Sequence, residues 1–147
     1  MPSTAGYSGT PLPQKLGIRP GHRLCLVGAP DDFAATLGPL PEGVVRVPPT
    51  DPCDMAIVFA SWEAELVPAV AAVRAGLTPD GALWLAWPKK ASKRPTDIVE
   101  DRLRTLYLPT GLVDNKVCAI DDVWSGLRFV LRKELRKELR KELRPRG

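Results

Sequence analysis

Three uninterrupted apolar runs constrain this chain more than any other feature: Leu-Cys-Leu-Val at 24–27, Met-Ala-Ile-Val-Phe-Ala at 55–60 and Ala-Leu-Trp-Leu-Ala-Trp at 82–87. A strand with one face in water alternates apolar and polar residues. A strand buried on both faces does not, and such strands belong to parallel sheets with helices packed on either side. Residues 44–47 (Val-Val-Arg-Val), bounded by Gly43 and Pro48-Pro49, form a shorter stretch. It and 55–60 are both expected to be buried strands.

Helical signals alternate with these runs. Asp31 or Asp32 is placed to cap a short helix through Phe33 and Leu37, stopped by Gly38 and Pro39. Ser61 is placed to cap a second, with Glu63 and Glu65 near its positive end, a kink or restart at Pro68 and Gly76 as the stop. Asp97 followed by Glu100 is a capping pattern for a third, from Ile98 to about Leu108, in which Val99, Leu103, Leu106 and Tyr107 recur at helical spacing. Two strand-like stretches, 112–120 and 127–131, are then joined by a short Asp-rich segment, as in an antiparallel hairpin. The expected fold is α/β, a three-layer sandwich around a mostly parallel sheet that ends in a C-terminal antiparallel hairpin, with a charged C-terminal helix beyond it.

Composition narrows the classes. With 147 residues, 44% of them hydrophobic, and a mean hydropathy of -0.10, the chain supports one packed core, and no apolar run approaches the ~20 residues of a membrane span. The N-terminus has neither a basic start nor an apolar centre, so no secretory leader is expected and a cytoplasmic location is. Cys25, Cys53 and Cys118 contain no Cys-x-x-Cys pair and are expected as reduced thiols. The net charge of +4 is uneven: residues 131–147 hold eight basic and three acidic side chains, or +5, leaving -1 on the remaining 130. A basic face spread over a whole domain, as a DNA binder would carry, is therefore not expected.

Three segments follow. Residues 1–14, rich in Gly, Pro, Ser and Thr, are expected as an extended or disordered strap, although Leu12 and Leu16 share a helical face ahead of Gly17 and allow one helical turn. Residues 15–131 form the folded domain. Residues 132–147, built on a Leu-Arg-Lys-Glu repeat, form a basic amphipathic helical tail. That tail is read either as an exposed helix or as a handle for a protein or polyanion partner.

Two resemblances accompany these residues. Gly-Ile-Arg-Pro-Gly-His-Arg-Leu-Cys-Leu-Val-Gly at 17–28, Leu-Thr-Pro-Asp-Gly-Ala-Leu-Trp at 77–84 and the terminal hairpin resemble the Rossmann-like fold of class I S-adenosylmethionine-dependent methyltransferases. Ala-Gly-Tyr-Ser-Gly-Thr-Pro-Leu at 5–12, Ala-Trp-Pro-Lys-Lys-Ala-Ser at 86–92 and the stretch from Val113 to Val130 resemble an uncharacterised bacterial family, domain of unknown function number 3052. The second implies fold and compartment and carries no activity. The first implies a glycine-rich turn after the first strand and a carboxylate ending the second. Here the turn reads Gly28-Ala29-Pro30-Asp31 and the second strand ends Val45-Arg46-Val47-Pro48, so no cofactor is expected.

In an open α/β sheet, ligands lie beyond the carboxyl ends of the strands. That rule nominates a rim of Gly28, Ala29 and Asp31, then Ser61-Trp62, then Trp87, Lys89, Lys90 and Ser92, with Lys93 and Arg94 adding charge. Its chemistry suits an anionic small molecule. No catalytic residue is assigned: the serines lack a histidine partner or an elbow motif, and there is no P-loop or metal-ligand spacing. The leading expectation is a non-catalytic binding or interaction module acting through the rim or the tail. The alternative is a methyltransferase-like enzyme with a degenerate or altered cofactor or nucleotide site.

Overall fold

The computed structural model describes residues 10–143. Most of the expected N-terminal strap and the last residues of the tail therefore lie outside the described residues. The described chain runs α1 (Leu12–Leu16), β1 (Arg23–Val27), α2 (Phe33–Leu37), β2 (Val45–Arg46), β3 (Cys53–Phe59), α3 (Glu63–Arg74), β4 (Leu77–Pro88), α4 (Glu100–Tyr107), β5 (Leu112–Ala119), β6 (Trp124–Leu131) and α5 (Lys133–Leu143). One six-stranded sheet has the order β2-β1-β3-β4-β6-β5. β2, β1, β3 and β4 are parallel, while β6 pairs antiparallel with β4 and with β5.

The apolar runs are buried as their pattern requires, and they divide by alternate residues between two cores. Ala56, Val58, Leu83, Leu85 and Trp87 face α3 and α4, against Leu66, Val70, Val73, Leu103 and Tyr107. Met55, Ile57, Phe59, Ala82, Trp84 and Ala86 face α1 and α2, against Leu16, Phe33 and Leu37. The result is the expected three-layer sandwich. Trp84 is fully buried, and its indole Nε1–H donates to the Leu16 carbonyl at 2.8 Å, which fixes α1 over the sheet. A side chain at Gly126 would meet the Trp84 ring, so glycine stands opposite that indole.

Three local expectations are corrected. β2 is only two residues long and both are exposed, because it is the outermost strand and Pro48-Pro49 lack the N–H groups to extend it. α3 runs through Pro68 without restarting; the carbonyl left without its helical donor belongs to exposed Ala64, where water can serve. β4 begins at Leu77 rather than near Ala82, with Leu77 opposite Cys53 and Ala82 opposite Met55, so its extra residues bulge out of the ladder. Most residues of the tail helix are exposed, and three contacts lay it on the domain: Leu139 packs on the α3/α4 core, Leu135 lies against Gly111, and Arg140 pairs with Asp80.

Asp54 ties the amino ends of three strands together. Its carboxylate accepts from the Arg23 backbone N–H at 2.8 Å, from the Arg23 guanidinium at 3.1 and 3.2 Å, and from the Thr78 hydroxyl at 3.2 Å. Burial alone would raise its pKa. The Arg23 bonds and charge, with Thr78, outweigh burial and hold it below the ordinary carboxylate value. A carboxyl with a lower pKa folded than unfolded stabilises the fold above its unfolded value of about 3.9, and that contribution is lost as pH falls through the folded value. Asp54→Asn is accordingly expected to lose about 1–2 kcal/mol near neutral pH. Its urea-measured stability should also fall less steeply on acidification than that of the parent chain; equal acid slopes would contradict this role.

Candidate functional site

The site nominated from sequence lies where strand order reverses. β1 has β2 on one side and β3 on the other, so the loops leaving β1 and β3 diverge above the sheet. The β1 loop carries Gly28, Ala29 and Asp31. Gly28 is exposed at φ +69, and a Cβ there would lie 2.5 Å from the Phe59 carbonyl oxygen of the neighbouring strand. Its glycine is thus required by the β1–β3 contact itself. Ala29 packs down on the α1/α2 core, and Asp31 is exposed. The Pro30 carbonyl accepts the Phe33 N–H at 2.9 Å, which closes the turn on itself.

Beyond β4, Trp87 is only 7% exposed and belongs to the α3/α4 core, so it is no open stacking surface. Lys89 is half-buried, and its backbone N–H donates to the Val123 carbonyl at 2.7 Å. Lys90 is exposed at the start of a single 3₁₀ turn. The Ser92 hydroxyl donates to the Lys89 carbonyl at 2.7 Å and accepts the Arg94 N–H at 3.3 Å, so it serves the loop's own conformation. β3 stands between β1 and β4. The two halves of the nominated rim therefore share one edge of the sheet but lie two strand spacings apart, about 10 Å.

Three features of this rim come from the packing. Trp62, which begins α3 just past the end of β3, is 43% exposed, whereas the other three tryptophans are buried. The Arg94 guanidinium stands 6.0 Å from the Trp124 ring, which meets Phe59 edge to face at 5.2 Å, as Phe59 meets Phe33 at 4.8 Å. These rings fill the space beneath the rim on the α1/α2 side. Asp97, expected to cap α4, instead accepts the Glu63 N–H of α3 at 2.8 Å, and Thr96 donates to the Ser61 carbonyl at 2.5 Å. The cap is supplied from 34 residues away, so spacing along the chain assigned it to the wrong helix.

Nucleophilic and metal chemistry find no support here. Burial raises all three thiols, Cys53 to about 11, which leaves them protonated at neutral pH. Among the described residues there is no group of three or more His, Cys, Asp or Glu side chains able to hold a metal ion. No helix among them is long and apolar enough to cross a membrane.

Solved structures share this architecture. A SAM-dependent methyltransferase from Aquifex aeolicus superposes with a TM-score of 0.55 at 11% identity, over 79% of this chain and 85% of that one. A ribosomal protein methylase from Lactobacillus delbrueckii subsp. bulgaricus gives 0.54 at 9%, over 82% and 75%. Fibrillarin from Aeropyrum pernix, with natively bound S-adenosyl-L-methionine, gives 0.52 at 14%, over 85% and 70%. At such identities the likeness is one of fold. No family model and no curated protein matches the sequence, so the resemblance to domain of unknown function 3052 rests on its motifs.

The residues present do not fit S-adenosylmethionine as that fold ordinarily holds it. The one glycine of the β1 loop is approached by the Phe59 carbonyl, Pro30 removes an N–H from the turn, and β2 ends at exposed Arg46 where a ribose-binding carboxylate would stand. Gly28→Ala is expected to destabilise the fold by about 2 kcal/mol through positive φ and the Phe59 contact. Asp97→Ala should lose about 1 kcal/mol as α3 forfeits its cap. Urea unfolding measures both, and an unchanged midpoint in either variant would refute the corresponding assignment.

Proposed function

We propose that this chain is a methyltransferase-like protein with an altered cofactor site, whose carboxyl rim takes an anionic, flat ligand of the nucleotide type. The observation that carries the reading is the placement of exposed Trp62 at the end of β3 beside the cationic loop that follows β4. An indole face stacks on a heterocyclic base, and Lys89, Lys90, Lys93 and Arg94 supply positive charge for phosphate. The methyltransferase-like fold supports a small ligand at this edge, and the departures at Gly28, Pro30 and Arg46 support a ligand other than S-adenosylmethionine. Free cysteines support a cytoplasmic location.

A second reading, an interaction module acting through the tail, draws support from α5, where Lys133, Lys137 and Lys141 are all exposed while Leu139 packs on the core. Such a row suits a polyanion.

A thermal-shift titration with nucleoside mono-, di- and triphosphates beside S-adenosylmethionine and S-adenosylhomocysteine tests the main reading. Saturable stabilisation by the nucleotides, reaching about 2.7 kcal/mol at a hundredfold excess over Kd, is expected to vanish in Trp62→Ala and in the double variant Lys89→Ala, Lys90→Ala. A shift with S-adenosylmethionine alone, or nucleotide shifts that survive both variants, would overturn it.

A further inference from the structure

At the opposite edge of the sheet, α5 and the α3–β4 turn flank an open cavity of about 450 Å³. It exists because β6 returns the chain antiparallel to β4, so Leu131 and α5 are delivered to the amino edge, where Pro52 and Ala75–Thr78 lead into β3 and β4. The Arg132 N–H donates to the Gly111 carbonyl at 2.8 Å and sets the direction of α5. The helix is then held by Leu139 on the core and Arg140 on Asp80. Pro52, Leu77, Leu131, Leu135 and Leu139 make most of the wall apolar, and the volume lies in the range of small-molecule sites.

One cation lines this space. The Arg74 guanidinium donates to the Thr110 hydroxyl at 2.6 Å and the Thr110 carbonyl at 2.5 Å, both neutral acceptors. Among the described residues Arg74 has no carboxylate within salt-bridge distance, in contrast to Arg23, Arg102, Arg104 and Arg140. Burial disfavours its charged form. A half-buried guanidinium with donors to spare, set in an apolar wall and lacking a counter-ion, is complemented by a carboxylate on an apolar body. Glu138 and Glu142 stand on the α5 side of the same cavity, both exposed, and oppose any second negative charge on the occupant.

We infer that this cavity is a binding site for a small apolar monocarboxylic acid, with Arg74 as its carboxylate anchor and the α5 leucines as one wall. The acid lies with its apolar body between Leu77 and the Leu135–Leu139 side of α5, and its carboxylate meets the guanidinium donors that Thr110 leaves free. Binding keeps α5 on the domain, because the ligand fills the space beneath it. The site lies at the other end of the strands from Trp62 and does not depend on the rim.

Isothermal titration of the full chain with octanoate, decanoate, decanol and decylamine, each below its micellar concentration, tests this. Decanoate is expected to bind at least tenfold more tightly than decanol, with decylamine weakest, and the acids to tighten by about fourfold per methylene. Arg74→Met should bring decanoate down to the decanol level while leaving decanol unchanged. Leu135→Trp, which narrows the space beneath α5, should weaken all four ligands even if Arg74→Met does not fold. Trp62→Ala should leave decanoate affinity unaltered, which separates this site from the rim. Equal affinity for acid and alcohol, tighter binding of the amine, or decanoate binding insensitive to Leu135→Trp would each overturn the assignment.

Discussion

The constraint on which the structure depends is that β3 and β4 must be dry on both faces. Their central residues include Ala56, Ile57, Val58, Leu83, Trp84 and Leu85, none measurably exposed, so each face needs a cover. One face is covered by the longer helices α3 and α4. The other has only α1 and α2, five residues each, too short to persist without tertiary contacts. The hydrogen bond from Trp84 to the Leu16 carbonyl makes the thin cover adequate: it gives the indole N–H a partner where no water reaches and fixes α1 in one position. Gly126 follows from the same ring, since a bulkier residue on β6 would push the indole off the sheet.

Much of the chemistry at the carboxyl rim of this sheet goes to holding the fold together. Gly28 allows β1 to lie close to Phe59, Ser92 closes the loop after β4, and Thr96 and Asp97 bind that loop to the start of α3. Glycine, serine and aspartate at strand ends are the residue types that suggest phosphate or cofactor binding in a sequence, yet here each has a protein partner. The groups left over for a ligand are fewer: the Trp62 face and the ammonium groups of the lysine-rich loop. That remainder argues for stacking and charge attraction over the backbone cradle by which this fold ordinarily holds its cofactor.

Legibility in the sequence followed the range of the interaction. The buried strands and the order of elements were readable because burial on both faces writes itself into consecutive residues, and the hairpin because turn residues separate two apolar stretches. Asp97 was assigned to the nearest helix, since spacing cannot reveal that Glu63 is its neighbour in space. The exposure of β2 was hidden because Val45 reads as apolar whether its strand is central or at the edge. Of the site, the edge of the sheet was legible and the division of labour along it was not. Trp87 closes an all-apolar run and reads as core, which its burial bears out, whereas only the packing shows that Trp62, just past the end of β3, stands open. The amino-edge cavity had no local signal, being assembled from segments around residues 52, 75, 131 and 139.

The repeat in α5 shows how a low-complexity segment acquires a definite role once its period is set against the helix. A period of four in a helix of 3.6 residues per turn rotates each like residue by about 40° per repeat. A row of leucines therefore cannot follow a straight seam; it crosses the domain surface obliquely, and engagement is confined to a short span around Leu135 and Leu139. The glutamates, one residue before each leucine, fall on one flank of the apolar stripe, beside the cavity. The arginines, one residue after, fall on the other, where Arg140 reaches Asp80. The lysines, two residues after, point away from the sheet. One four-residue word thus supplies a docking contact, an acidic lip, one ionic tether and a cationic outer face.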